Sequence, residues 1–297
     1  MGTPDFAVAS LDALVQANFN VVAVITAPDK PAGRGQKINE SAVKRYAVEK
    51  GIPVLQPEKL KNPEFLEELK SYEADLQVVV AFRMLPEVVW NMPSKGTINL
   101  HGSLLPQYRG AAPINHAIIN GEKESGVTTF FLTHTIDTGD IILSDKTPIA
   151  DDETAGELHD KLMVIGANLL VKTVTAIAEG NFTEQPQPQS DVLKHAPKIF
   201  KDDCKINWNN PSQLIYNLIR GLSPYPTAFT LLNDKTLKIF KAELENKEPS
   251  IAAGGFLSDG KTYLKFATKD GFIKLLDIQY EGKKRMLIED FLRGMRL

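Results

Sequence analysis

Thr97-Ile98-Asn99-Leu100-His101-Gly102-Ser103-Leu104-Leu105-Pro106-Gln107-Tyr108-Arg109-Gly110-Ala111-Ala112-Pro113-Ile114 decides how this chain is read. It opens as a buried strand and ends as a loop rich in Gly and Pro. Side chains alternate along a strand, so Asn99 and His101, two apart, share one face. Upstream, Val78-Val79-Val80-Ala81-Phe82 marks a neighbouring strand of a core sheet. Polar side chains in such a sheet need a reason, because burying them without partners is costly. Open α/β sheets place their chemistry at the carboxyl ends of strands, where His101 falls.

A second polar cluster follows the strand-like run Gly126-Val127-Thr128-Thr129-Phe130-Phe131-Leu132, at Ile136-Asp137-Thr138-Gly139-Asp140. Asn99, His101 and Asp137 together supply an amide donor, an imidazole and a carboxylate. That set suits acyl transfer: one group steadies an oxyanion, one moves a proton and one orients the imidazole. Asp140 reads as a turn or cap residue, and His116 as a structural histidine.

Composition sets the frame. The 297 residues are 43% hydrophobic and 24% charged, enough chain for two domains and a full core. No signal-peptide pattern opens the sequence, and no apolar run is expected to span a membrane. A lone cysteine, Cys204, excludes an internal disulfide framework and points to a reducing, cytoplasmic setting. No Cys/His cluster has zinc spacing, so no metal is expected. The net charge of −3 hides an asymmetry: residues 204–297 carry 15 Lys and Arg against 10 Asp and Glu, leaving 19 against 27 in residues 1–203. A basic C-terminal part suits a polyanionic partner.

The order of elements follows from periodicity. Strand patterns at 20–26, 52–55, 75–82, 97–101, 126–132 and 141–149 alternate with helical ones at 41–50, 63–71, 112–120 and 154–179. This indicates a Rossmann-like, mostly parallel sheet. Only Met1 precedes the strand-to-helix turn Gly2-Thr3-Pro4, so a gap is expected between the neighbours of the first strand, as though the numbering began inside the natural protein. Pro28-Asp29-Lys30-Pro31-Ala32-Gly33-Arg34-Gly35-Gln36-Lys37 reads as an irregular, exposed basic loop, with Lys30, Arg34 and Lys37 as candidate contacts to a polyanion. Gly180 to Ser190, with Gln185-Pro186-Gln187-Pro188-Gln189, reads as the start of a linker. Beyond it, a helix at 212–220 and short alternating segments at 228–232, 236–241, 255–257, 263–267 and 272–280 suggest a small OB-like β-barrel. The expected domains are residues 1–180, a linker at 181–203, and residues 204–297.

At this point the sequence resembles the 10-formyltetrahydrofolate-dependent formyltransferases and hydrolases. Asn99-Leu100-His101-Gly102-Ser103-Leu104-Leu105-Pro106 and Asp137-Thr138-Gly139-Asp140 carry the resemblance. Four further stretches look like the methionyl-tRNA formyltransferase branch: residues 1–8, residues 28–35, Arg109-Gly110-Ala111-Ala112-Pro113-Ile114 and Ala196-Pro197-Lys198-Ile199. The resemblance implies that Asn99, His101 and Asp137 are catalytic and that Ser103, Leu104, Leu105 and Pro106 line a folate site, with His134 a further candidate for its wall. It implies 10-formyltetrahydrofolate as donor, initiator methionyl-tRNA as acceptor, and a cytoplasmic monomer without membrane attachment. The chain departs from the pattern at Phe82-Arg83-Met84, where family members often carry Tyr-Gly, so Arg83 bears on the pterin side. A formyltransferase for a small amine such as an amino sugar, or a formyltetrahydrofolate hydrolase, would share the same trio.

Overall fold

The computed structural model describes residues 1–32, 37–189 and 192–294. They form two compact units. One comprises Met1–Arg109, Gly126–Thr147 and His159–Lys194; the other comprises Gly110–Ser125, Pro148–Leu158 and His195–Leu297. Two stretches within the expected 1–180 domain thus pack with the C-terminal part.

The first unit begins with α1 (Asp5–Gln16), whose buried Phe6, Ala7 and Leu14 form its apolar face. Next come β1 (Val24–Ile25), β2 (Lys30–Ala32), β3 (Lys37–Asn39), α2 (Ala42–Glu49), β4 (Val54–Leu55), α3 (Pro63–Ser71), β5 (Gln77–Val80), α4 (Glu87–Trp90) and β6 (Thr97–His101). Ser41 Oγ accepts from Lys44 N ahead of α2, and Asn62 caps α3, with Pro63 in its first turn. The pairs β1–β4 and β5–β6 are parallel. After β7 (Arg109–Gly110) and α5 (Pro113–Ile119) come β8 (Glu124–Phe131), β9 (Ile141–Pro148) and α6 (Ala155–Glu179). The central sheet runs β5-β6-β8-β9, with β6–β8 antiparallel. Ile25, Leu55, Phe65, Leu69, Val79 and Val89 close one core.

Three expectations need correction. The strand expected at 20–26 shortens to Val24–Ile25, the two residues that pair with Val54 and Leu55 of β4. Gly2 N donates to Ile25 O at 3.0 Å and Val80 N to Met1 O at 2.9 Å. Past them a cavity of about 720 Å³ is lined by Asn20 to Val24, Asp75 to Val78 and residues of α1 and α6. Second, the basic loop is not wholly irregular: β2 and β3 pair as an antiparallel ribbon, with Pro31 opposite Ile38. A two-stranded ribbon has only edges, where proline is tolerated. Third, α6, 25 residues with a window of mean hydropathy 1.5, is long and apolar enough to cross a membrane, although 44% of that window is buried within the protein. Its Leu162, Leu170, Val174 and Ile177 are buried, as in a core helix.

The second unit holds α5, β10 (His195–Ala196), α7 (Ser212–Leu222) and a six-stranded antiparallel sheet. The strands are β11 (Ala228–Leu232), β12 (Lys235–Glu245), β13 (Phe256–Ser258), β14 (Leu264–Ala267), β15 (Phe272–Tyr280) and β16 (Met286–Leu287), in the order β11-β12-β15-β14-β13 with β16 beside β15. Register shifts around Lys241 curl β12, as bulges do. α7 and α8 (Ile288–Arg293) cover a core containing Ile219, Leu222, Ile239, Phe266, Leu275 and Phe291. Trp208 stacks on Phe266 with centroids 4.6 Å apart. The sequence reading missed β16 and α8, which are too short for periodicity to register. Cys204 is buried and its thiol pushed up by burial, which makes it an unreactive core residue.

Candidate active site

Alternation along β6 sets the site. Leu100 faces α6, where a Cβ on Gly166 would come within 3.0 Å of its Cδ2. Asn99 and His101 therefore occupy the opposite face. Asn99 sits mid-sheet, in register with Val79 and Phe130. Its amide makes no hydrogen bond to another described residue. His101 ends the strand and is 6% exposed.

The loop after β6 folds back on β8 through side-chain hydroxyls. Thr128 Oγ1 donates to Ser103 O at 2.7 Å, Leu105 N donates to Thr128 Oγ1 at 3.2 Å, and Ser103 Oγ donates to Gln107 O at 2.7 Å. The turn ends at Tyr108, buried and at φ +60, outside the usual range for a bulky residue. It presents the Tyr108 carbonyl to His101 Nε2 at 2.9 Å. A carbonyl only accepts, so Nε2 carries the proton and Nδ1 is left to face the rest of the site.

Asp137 reaches His101 from the β8–β9 connection. Its Oδ2 lies 3.8 Å from His101 Nδ1, with both side chains largely buried. The connection is tightly constrained. Asp137 adopts φ +53, Thr138 Oγ1 donates to Thr135 O at 3.0 Å, and Gly139 passes so near Phe131 that a Cβ would lie 1.7 Å from its carbonyl oxygen. The structure thus brings His101 and Asp137 together, with Asn99 on the same strand face as His101.

Ser103, Leu105 and Pro106 are buried, and Leu104 packs on Gly126. His134 is exposed, 3.6 Å from Glu87 Oε1 and edge-on to Trp90. Arg83 donates to the carbonyls of Pro57 and Glu58. Lys30 is exposed at the start of β2, Lys37 opens β3, and Arg34 lies outside the described residues. His116 Nε2 meets Pro197 O at 3.0 Å, a structural role as read. Sequence reasoning missed Gln187, whose carboxamide binds the backbone of Asp137 and Gly139. Its only signal was a polar residue wedged between Pro186 and Pro188.

Fold and site together define the class: a group-transfer enzyme on an open α/β sheet, followed in sequence by an antiparallel sheet. The chain belongs to the formyl transferase family. Residues 1–174 match the family described as formyl transferase, and residues 198–296 match the formyl transferase C-terminal domain. It is 54% identical to the methionyl-tRNA formyltransferase of Bacteroides fragilis over 100% of this chain and 94% of the relative. It is 56% identical to that of Parabacteroides distasonis, again over 100% of this chain and 94% of the relative. Among solved structures, WlaRD, a sugar 3N-formyl transferase crystallised in the presence of dTDP and 5-N-formyl-THF, superposes with a TM-score of 0.68 at 24% identity, covering 95% of this chain and 97% of that one. At that identity the likeness establishes the fold alone.

Proposed function

We propose that this enzyme transfers the formyl group of 10-formyltetrahydrofolate to the amino group of initiator methionyl-tRNA. The observation that carries the reading is identity above one half, along the whole chain, to relatives named for that activity. The site chemistry supports it. As the amine adds to the formyl carbon, Asn99 donates to the oxygen where negative charge develops. His101, its Nε2–H held by Tyr108, offers Nδ1 to the reacting centre. Asp137 orients that nitrogen and takes a proton from the adding amine. The 3.8 Å separation exceeds a hydrogen bond, so the two groups are not locked to each other. The new bond joins the amine nitrogen to the formyl carbon. The bond to the folate N10 then breaks, and the amine's proton passes through this pair to N10.

Ser103 to Pro106 form the folate side of the site; because three of the four side chains are buried, contacts there fall to Leu104 and the backbone. The catalytic part is the expected 1–180 domain without the stretches 110–125 and 148–158, which pack with the C-terminal part; the tRNA-binding part is the OB-like sheet of 204–297, and 181–203 joins the two in sequence. Lys30, Arg34 and Lys37 contact the acceptor end of the tRNA, and the enzyme works as a cytoplasmic monomer. The test is incubation with charged initiator tRNA and 10-formyltetrahydrofolate. N-formylmethionyl-tRNA should form with wild type and not with His101→Ala. Absence of product, or folate release without an amine acceptor, would reject the reading.

A further inference from the structure

We propose that Gln187 is a positioning residue that holds the catalytic carboxylate of Asp137 in place. Its Nε2 donates to Asp137 O and to Gly139 O, each at 2.9 Å. Its Oε1 accepts from Arg109 Nε at 3.1 Å and from Arg109 Nη2 at 2.6 Å. These four bonds use both N–H donors and both lone pairs of the carboxamide. The partners also fix its orientation, because a guanidinium can only donate and a carbonyl can only accept.

The backbone it binds needs such a clamp. Asp137 at φ +53 is a non-glycine residue in the left-handed region, a conformation held at a cost and only where its surroundings over-determine it. Two carbonyls of that turn aim at one side chain. A carboxamide there satisfies both, while a carboxylate of the same shape would set negative charge against them. Gln187 is itself held rigidly. Pro188 restricts it to extended backbone and Pro186 fixes its own φ. Two residues earlier, Gln185 and Ile141 exchange backbone hydrogen bonds of 2.8 and 2.9 Å. The Gln-Pro tract is therefore docked along the Asp137 connection rather than spanning free solvent, which corrects its reading as a mere linker. Arg109, from the motif after β6, closes the chain of contacts from the His101 loop through Gln187 to Asp137.

The inference rests on the catalytic reading of Asp137, and a double-mutant cycle separates the two. Gln187→Ala should lower kcat about 10–100-fold, the scale expected when a reacting group is displaced by a fraction of its contact distance. KM for folate and tRNA should stay at wild-type values, with turnover read well below the variant's melting temperature so that lost stability does not enter it. Gln187→Glu keeps the volume and the Arg109 contact but lacks both N–H donors, and should lose at least as much. In an Asp137→Ala background, Gln187→Ala should add no further loss. If Asp137→Ala is itself harmless, the catalytic assignment fails. If Asp137→Ala is severe but Gln187→Glu turns over normally, or the two losses multiply, the positioning role is overturned.

Discussion

His101 Nε2 and the carbonyl oxygen of Tyr108 lie 2.9 Å apart, joined across a buried turn in which Tyr108 adopts φ +60. That contact dictates the tautomer. A neutral His101 keeps its proton on Nε2, and Nδ1 points to Asp137. His101→Gln retains a side chain able to donate to the carbonyl but removes the nitrogen proposed to accept and return a proton. The expected result is a fall in kcat of about 100–10,000-fold, the range general acid–base groups contribute. Single-turnover formylation measures it, and a His101→Gln enzyme with normal single-turnover rates would remove the imidazole from the chemistry.

Asn99 makes a different prediction, because its amide is offered rather than committed. On the proposed oxyanion role, Asn99→Ala should cost about 100–1000-fold in kcat, as loss of such donors does elsewhere. Asn99→Asp should be worse, since it sets a negative charge where negative charge must develop. Folate affinity, read by titration calorimetry with 5-formyltetrahydrofolate, should barely change for Asn99→Ala. Equal losses in kcat and in folate affinity would instead make Asn99 a binding residue.

Much of this site was legible before any coordinates. Strand alternation alone placed Asn99 and His101 on one face, and the Asp-Thr-Gly-Asp turn supplied the carboxylate. The Tyr108 carbonyl was not legible, because a backbone acceptor leaves no mark in residue type and its aim depends on a positive φ. Gln187 was hidden for a different reason. Composition reads a Gln-Pro tract as unable to bury a core, yet hydrogen bonds, not apolar burial, dock this one. The strand expected at 20–26 failed through pairing: local pattern predicts what a segment can do, while the ladder needs a neighbour of matching length.

Gly139 shows how tightly the Asp137 turn is built. A methyl group there would lie 1.7 Å from the Phe131 carbonyl oxygen, a backbone atom that cannot rotate away. Gly139→Ala must therefore displace the turn or the end of β8. The expected cost is about 1–3 kcal/mol of stability, in the range of substitutions that force such strain. Turnover should fall further than melting alone explains. Urea denaturation and kcat at a temperature where the variant is fully folded separate the two effects. A variant with wild-type midpoint and turnover would mean the turn is freely movable.

The last prediction concerns the base of the Lys30–Asn39 ribbon. Asp29 accepts from Lys44 Nζ and from Gln56 Nε2, the latter at 2.8 Å, while Lys44 also reaches Glu40 at 2.8 Å. The Lys44 hydrogen bond, then Gln56, holds the Asp29 carboxyl below its usual value of 3.8. The bond to Asp29 likewise raises Lys44 above its usual 10.5. A depressed carboxyl stabilises the fold above its ordinary pKa, and that contribution disappears as pH falls through the depressed value. A raised ammonium stabilises below its ordinary pKa, and is lost as pH climbs through the raised value. The anchor should therefore be constant from about pH 5 to about pH 9. Amide hydrogen exchange of Lys30–Ala32 and Lys37–Asn39, corrected for intrinsic rates, should be flat across that span. Asp29→Ala should accelerate that exchange and raise KM for tRNA without altering KM for folate. Arg34→Ala should raise the same tRNA KM while leaving exchange in the ribbon unchanged. If Asp29→Ala loosens the ribbon and tRNA kinetics stay at wild-type values, the ribbon has no part in holding the acceptor end.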